Sequence, residues 1–73
     1  MAQYKITYTY TDYSDTIHGK RVNSYDTYEA DSAQDAVDQC RQEFYIENRL
    51  DITSVTKWSP LGYWMPVFDN AWM

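Results

Sequence analysis

A two-layer α+β domain is the fold class this sequence predicts: an antiparallel sheet of three to four strands in β-β-α-β-β order, with one amphipathic helix on one face. Three observations lead there. Residues 4–11, Tyr-Lys-Ile-Thr-Tyr-Thr-Tyr-Thr, alternate large and polar side chains with the period of a half-buried strand. Residues 33–47 carry small and apolar side chains at helical spacing behind a serine suited to cap them. A length of 73 residues holds a single domain, 1–73.

In the first strand, Tyr4, Ile6, Tyr8 and Tyr10 fall on one face and Lys5, Thr7, Thr9 and Thr11 on the other. Nearly all are aromatic or β-branched, so propensity agrees with pattern. Asp12 to Gly19 is polar and reads as a hairpin loop closing at His18-Gly19-Lys20. A second strand is expected from about Val22 to Ala30. Its alternation is poorer. With Tyr28 and Ala30 on the core, Asp26 and Ser24 point the same way, whereas a bulge near Asp26 turns Tyr25 inward. Both facings stand.

Ser32 followed by Asp35 has the spacing of a capping box, and Asp35 suits the positive end of a helix. Ala33, Ala36, Val37, Cys40 and Phe44 make one stripe, opposite Asp35, Asp38, Gln39 and Gln42. This predicts a helix over about Ala33 to Glu47, stopped by Asn48. Leu50 to Trp58 reads as the third strand. Ser59-Pro60-Leu61-Gly62 forms a turn. Tyr63 to Phe68 is a short fourth strand, which Pro66 confines to an edge by removing a ladder donor.

Leu, Ile, Val and Phe are scarce, but eight Tyr and three Trp supply the apolar area a small core needs. One cysteine excludes an internal disulfide, and no Cys/His set has metal-ligand spacing. A reduced, cytosolic compartment is expected. Met1 to Lys5 lacks the basic start and apolar run of a signal peptide, and no apolar stretch reaches membrane-spanning length. A net charge of −5 argues against direct nucleic-acid binding, which needs clustered Lys and Arg.

Asp12, Asp15 and His18 offer potential metal ligands, but their spacing fits neither a calcium loop nor a zinc site. Ser14, Asp15 and His18 are the residue types of a hydrolase triad, yet triad members converge from separate elements beside a rigid oxyanion site. The expectation is no catalytic residue, no metal and no cofactor. Cys40 reads as a small buried hydrophobe. Trp58, Tyr63, Trp64, Phe68 and Trp72 complete the core or cover an edge, with exposed binding anchors as the next reading.

The acidic residues carry the functional expectation. Asp12, Asp15, Asp26, Glu29 and Asp31 flank the first hairpin, with Asp35 and Asp38 following on the solvent face of the helix. One-sign charge steers partners of the opposite sign. Asp12, Asp15, Asp26, Glu29, Asp35 and Asp38, with Tyr13 and Tyr25 as aromatic contacts, are the candidate partner-binding residues. The expected partner is a basic surface of a host protein or ribonucleoprotein, with a homodimer as a further option.

The hairpin running into residues 28–36, Tyr-Glu-Ala-Asp-Ser-Ala-Gln-Asp-Ala, and then Ile52-Thr53-Ser54-Val55, resembles small phage-encoded inhibitors of host machinery. The likeness spans about residues 4–58 and extends to anti-CRISPR proteins and to the podophage inhibitor of host RNA polymerase. Its motif is a Ser-capped helix followed by a strand. The polymerase inhibitor uses arginines on that strand, where this sequence has Ser54 and Thr56 beside Lys57. The resemblance implies a non-enzymatic protein of the host cell cytoplasm that docks on and blocks a nucleic-acid-handling complex, of the anti-CRISPR type first. A polymerase inhibitor, or an oligomerisation module using the aromatic C-terminal segment, is the alternative.

Overall fold

The computed structural model describes residues 1–14 and 17–67. Four strands form one antiparallel sheet: β1 (Ala2–Asp12), β2 (Lys20–Ala30), β3 (Asp51–Trp58) and β4 (Trp64–Pro66), in the order β2-β1-β3-β4. One helix, α1 (Ala33–Gln42), connects β2 to β3, followed by a single 3₁₀ turn at Ile46–Asn48. The α+β class, the single helix and the order of elements match the sequence-based expectation.

The chain's best strand former becomes the centre of the sheet. β1 pairs with β2 from Ala2 opposite Ala30 to Asp12 opposite Lys20, without interruption. That register decides the facing of β2. Tyr28, Asp26 and Ser24 lie opposite Tyr4, Ile6 and Tyr8 on the helix face, while Tyr25 lies opposite Thr7 on the other face. The strands therefore begin and end closer to the loop than expected, and β2 has no bulge at Asp26.

The irregularity lies instead on the other neighbour of β1. Thr7 pairs with Ser54, but Tyr8 pairs with Ile52, leaving Thr53 as an extra residue in β3. In a regular strand Ile52 and Val55, three apart, would face opposite sides. The bulge brings both to the helix face, where Val55 is buried and Ile52 packs against the core. Thr53 Oγ1 steadies the bulge by donating to the Thr7 carbonyl at 3.0 Å.

The core lies between the sheet and α1: Tyr4, Ile6 and Tyr8 from β1, Ala33, Ala36, Val37 and Cys40 from the helix, with Ala30 and Val55. Ile6 and Val37 are fully buried, each contributing about 1.5–3 kcal/mol of transfer free energy. Ser32 caps α1 by accepting from the Asp35 amide at 3.2 Å.

α1 stops at Gln42, five residues short of the expected end, because Tyr45 is extended (φ −86°, ψ 161°). Phe44 thus belongs to the chain beyond the helix, yet it still packs its edge on Tyr8 and tilts against Tyr10, with ring centroids at 5.2 and 5.3 Å. Asn48, expected to stop the helix, organises the 3₁₀ turn. Its Oδ1 accepts from the Tyr45 amide, and its Nδ2 donates to the Thr11 carbonyl, both at 3.0 Å.

Candidate acidic docking site

Where β2 ends beside the start of β1, the chain turns through Asp31 and Ser32 directly into α1. That short connection places the last acid of the strand next to the first acids of the helix. Glu29, Asp31, Asp35 and Asp38 line one shallow groove of about 440 Å³, completed by Met1, Ala30, Gln39 and Gln42. Gln39 Nε2 donates to the Glu29 carbonyl at 3.1 Å and fixes the helix against the strand end. Gln34 Nε2 donates to Asp38 Oδ1 at 2.9 Å and orients that carboxylate.

Among the described residues no lysine or arginine side chain lines this groove. All four residues are exposed, and the negative fields of Asp31, Asp35 and Asp38 add around the helix start, beside the chain's first residue, Met1. Elsewhere charges of both signs interleave. Arg41 and Arg49 flank Glu43 and Glu47 around the end of α1 and the 3₁₀ turn. Arg21 meets Asp51 at 2.8 Å and also donates to Thr11 Oγ1 and the Arg49 carbonyl.

Of the eight candidate residues, the structure brings Glu29, Asp35 and Asp38 together and adds Asp31. Asp12 lies at the far end of β1, ten residues from Ala2, a span of roughly 33 Å at strand rise. Its carboxylate accepts from the Ser14 amide at 2.9 Å, and that bond holds its pKa below the ordinary value. Tyr13 stands in the same loop, with its ring against Gly19. Asp15 lies outside the described residues.

Asp26 projects from the helix face and accepts from the Tyr8 hydroxyl at 2.6 Å. Tyr25 is on the opposite side of the sheet, where Lys5 Nζ sits 4.5 Å from its ring centroid. Neither tyrosine therefore flanks the groove. Asp31 was legible as a flanking acid, and Gln39 and Gln42 as the polar helix face. What the sequence did not disclose is how tightly the β2–α1 connection folds.

The sheet face away from α1 carries Lys5, Thr7 and Thr9, as the alternation predicted, together with Tyr25, Trp58 and Trp64. Trp58 and Trp64 pack edge to face at 5.1 Å, and Lys5 Nζ lies 5.8 Å from the Trp64 ring. Trp58 is 43% and Tyr63 51% exposed. These rings therefore cover the open face near β4 and do not enter the core. Phe68 and Trp72 lie outside the described residues.

Cys40 is fully buried, and burial raises its thiol pKa, so it behaves as the core hydrophobe expected. Among the described residues no group of three or more His, Cys, Asp or Glu side chains is placed to hold a metal ion. Among the same residues no helix is long and apolar enough to cross a membrane. Set against protein-family models, curated proteins and solved structures, the chain matches none.

Proposed function

We propose that this chain is a non-enzymatic binding protein that docks its acidic groove on a basic surface of a nucleic-acid-handling complex and blocks it, in the manner of small phage-encoded inhibitors. The observation that carries the reading is the convergence of Asp31, Asp35 and Asp38, with Glu29 at the strand end, on one groove that has no Lys or Arg side chain among its described lining residues. A row of carboxylates fixed by a strand end and a capped helix offers a basic channel what a phosphate backbone offers: spaced negative charge on a stiff support. Such charge accelerates encounter and fixes orientation, while the exposed surface around it provides the contact area.

The anti-CRISPR reading is favoured over the polymerase reading by the strand after the helix. Ser54 and Thr56 face away from α1, and the nearby Lys57 pairs with Tyr4 on the helix side of the sheet. Neither position supplies an arginine row. CRISPR surveillance complexes, by contrast, expose the basic channels that an acidic domain complements.

The test is an interference assay in bacteria whose CRISPR system targets a plated phage. Expression of the chain is expected to restore plaques, and a folded Asp35→Lys/Asp38→Lys variant to lose at least about tenfold of that protection. Absence of protection in every CRISPR type assayed, or full protection by the double variant, contradicts the proposal.

A further inference from the structure

We infer that two copies of this chain join edge to edge through β2, antiparallel about a two-fold axis at Tyr25, so that two four-stranded sheets become one continuous sheet. The inference concerns the β2 edge, which adjoins the docking groove and shares its acids, and it goes beyond the docking reading.

Among the described residues β2 is an edge strand of 11 residues, hydrogen-bonded to β1 alone. The carbonyl of Glu29 accepts from a helix side chain, Gln39, and so points away from β1. In an antiparallel ladder inward and outward residues alternate. Arg21, Asn23, Tyr25 and Thr27 therefore turn their backbone N–H and C=O groups out with Glu29. Gln39 occupies the end of this row, leaving Asn23 to Thr27 as an open template.

The strand is self-complementary about Tyr25. In an antiparallel pair centred there, Asn23 meets Thr27 and Arg21 meets Glu29 on the open face of the sheet, with the two Tyr25 rings side by side. On the helix face Val22 meets Tyr28 and Ser24 meets Asp26. Tyr25, 59% exposed as a single copy, gains an aromatic neighbour directly across the new seam. Slipping the register by two residues in one direction sets Asp26 against Asp26, and in the other sets Val22 against Asp26. Like charges directly opposite, or an apolar residue against a carboxylate, disfavour both alternatives.

Charge selects the same pairing. β2 begins with Lys20-Arg21 and ends at the acidic groove. Antiparallel docking sets the basic start of each copy against the acidic end of the other, twice by symmetry. Arg21 is already held by Asp51, so exposed Lys20 carries this contact. Lys20 lies on the helix face of the sheet, opposite Ala30 of the second copy, and is directed at the groove of Asp35 and Asp38.

Sedimentation across about 1–500 µM protein tests the pairing. The wild-type chain is expected to pass from 8.7 kDa to twice that mass. Thr27→Pro removes an outward N–H without touching the β1 ladder or any charge, and is expected to remain a monomer with an unchanged circular dichroism spectrum. Lys20→Glu, an exposed change that leaves the fold intact, is expected to weaken self-association about tenfold, and adding Asp35→Lys to restore it. A wild-type monomer throughout the range overturns the inference, as does a dimer that survives Thr27→Pro or one that is as tight in Lys20→Glu as in the wild type. Because Thr27→Pro keeps every carboxylate, a monomeric variant that still blocks the nucleic-acid complex separates this inference from the docking one.

Discussion

The Tyr8 hydroxyl donates to the Asp26 carboxylate at 2.6 Å, joining the central strand to its edge neighbour across the helix face. Tyr8 is buried to 4% exposure, so its hydroxyl needs a partner, while Asp26 is exposed and keeps its hydration. This explains how β2 tolerates an acid on its core side without a bulge. Asp26→Ala is expected to cost about 1.5–3 kcal/mol, the range for a hydrogen bond to a charged group, and Tyr8→Phe less because it leaves no buried donor behind. Urea unfolding of both variants and of the double variant checks the coupling. Additive losses would show that the bond does not form.

The same contact sets a pH dependence. Burial first, and the Asp26 bond second, push the Tyr8 pKa from 10.0 to about 12. Burial and then the hydrogen bond to Glu43 also raise Tyr28 above its usual value. A phenol whose pKa is higher in the folded state binds its proton more tightly there. Its stabilisation is complete below pH 10 and is lost as pH rises from 10 towards 12. Urea midpoints should therefore fall across that window, and Tyr8→Phe should make the fall shallower. A flat profile from pH 10 to 12 contradicts the assignment.

The two glycines separate conformational strain from crowding. Both have positive φ, +79° at Gly19 and +92° at Gly62. A Cβ on Gly62 meets open space, whereas one on Gly19 lies 2.7 Å from the Tyr13 ring and closer still to Thr11 Cγ2. Gly62→Ala is expected to cost about 1–2 kcal/mol from the left-handed backbone alone. Gly19→Ala adds about 1–3 kcal/mol of overpacking to that. Thermal unfolding of the pair decides it, and equal losses would contradict the close approach at Gly19.

Helix capping offers a local test. Ser32 Oγ accepts from the Asp35 amide. Ser32→Ala is expected to lose about 1 kcal/mol and Ser32→Gly only a few tenths. A Ser32→Ala variant as stable as the wild type, by denaturant titration, would show that the cap contributes nothing here.

Much of the fold was legible because two periodicities were clean. The alternation of Tyr4 to Thr11 fixed both faces of β1, and the Ala33–Cys40 stripe fixed the buried face of α1. The facing of β2 was not legible, because Asp26 and Ser24 break its pattern and their partners on β1, Ile6 and Tyr8, lie on another strand, 20 and 16 residues away. The bulge at Thr53 escaped for a similar reason: only the demand that Ile52 and Val55 share one face reveals it. The helix end was missed because Phe44 stays in the core without helical backbone. As for the acids, the sequence reading grouped residues near in the chain, whereas the groove selects those brought together by the Asp31-Ser32 connection. Asp12 and Asp26 share the charge of that group but not its place.

The most direct measurement is the affinity of the chain for a purified CRISPR surveillance complex, by calorimetry from about 50 to 300 mM salt. Wild-type binding should weaken steeply with salt, and Asp35→Lys/Asp38→Lys should bind at least about tenfold more weakly with a flatter slope. Binding of equal strength and equal salt dependence in the two proteins would contradict an acidic docking site at the β2–α1 junction.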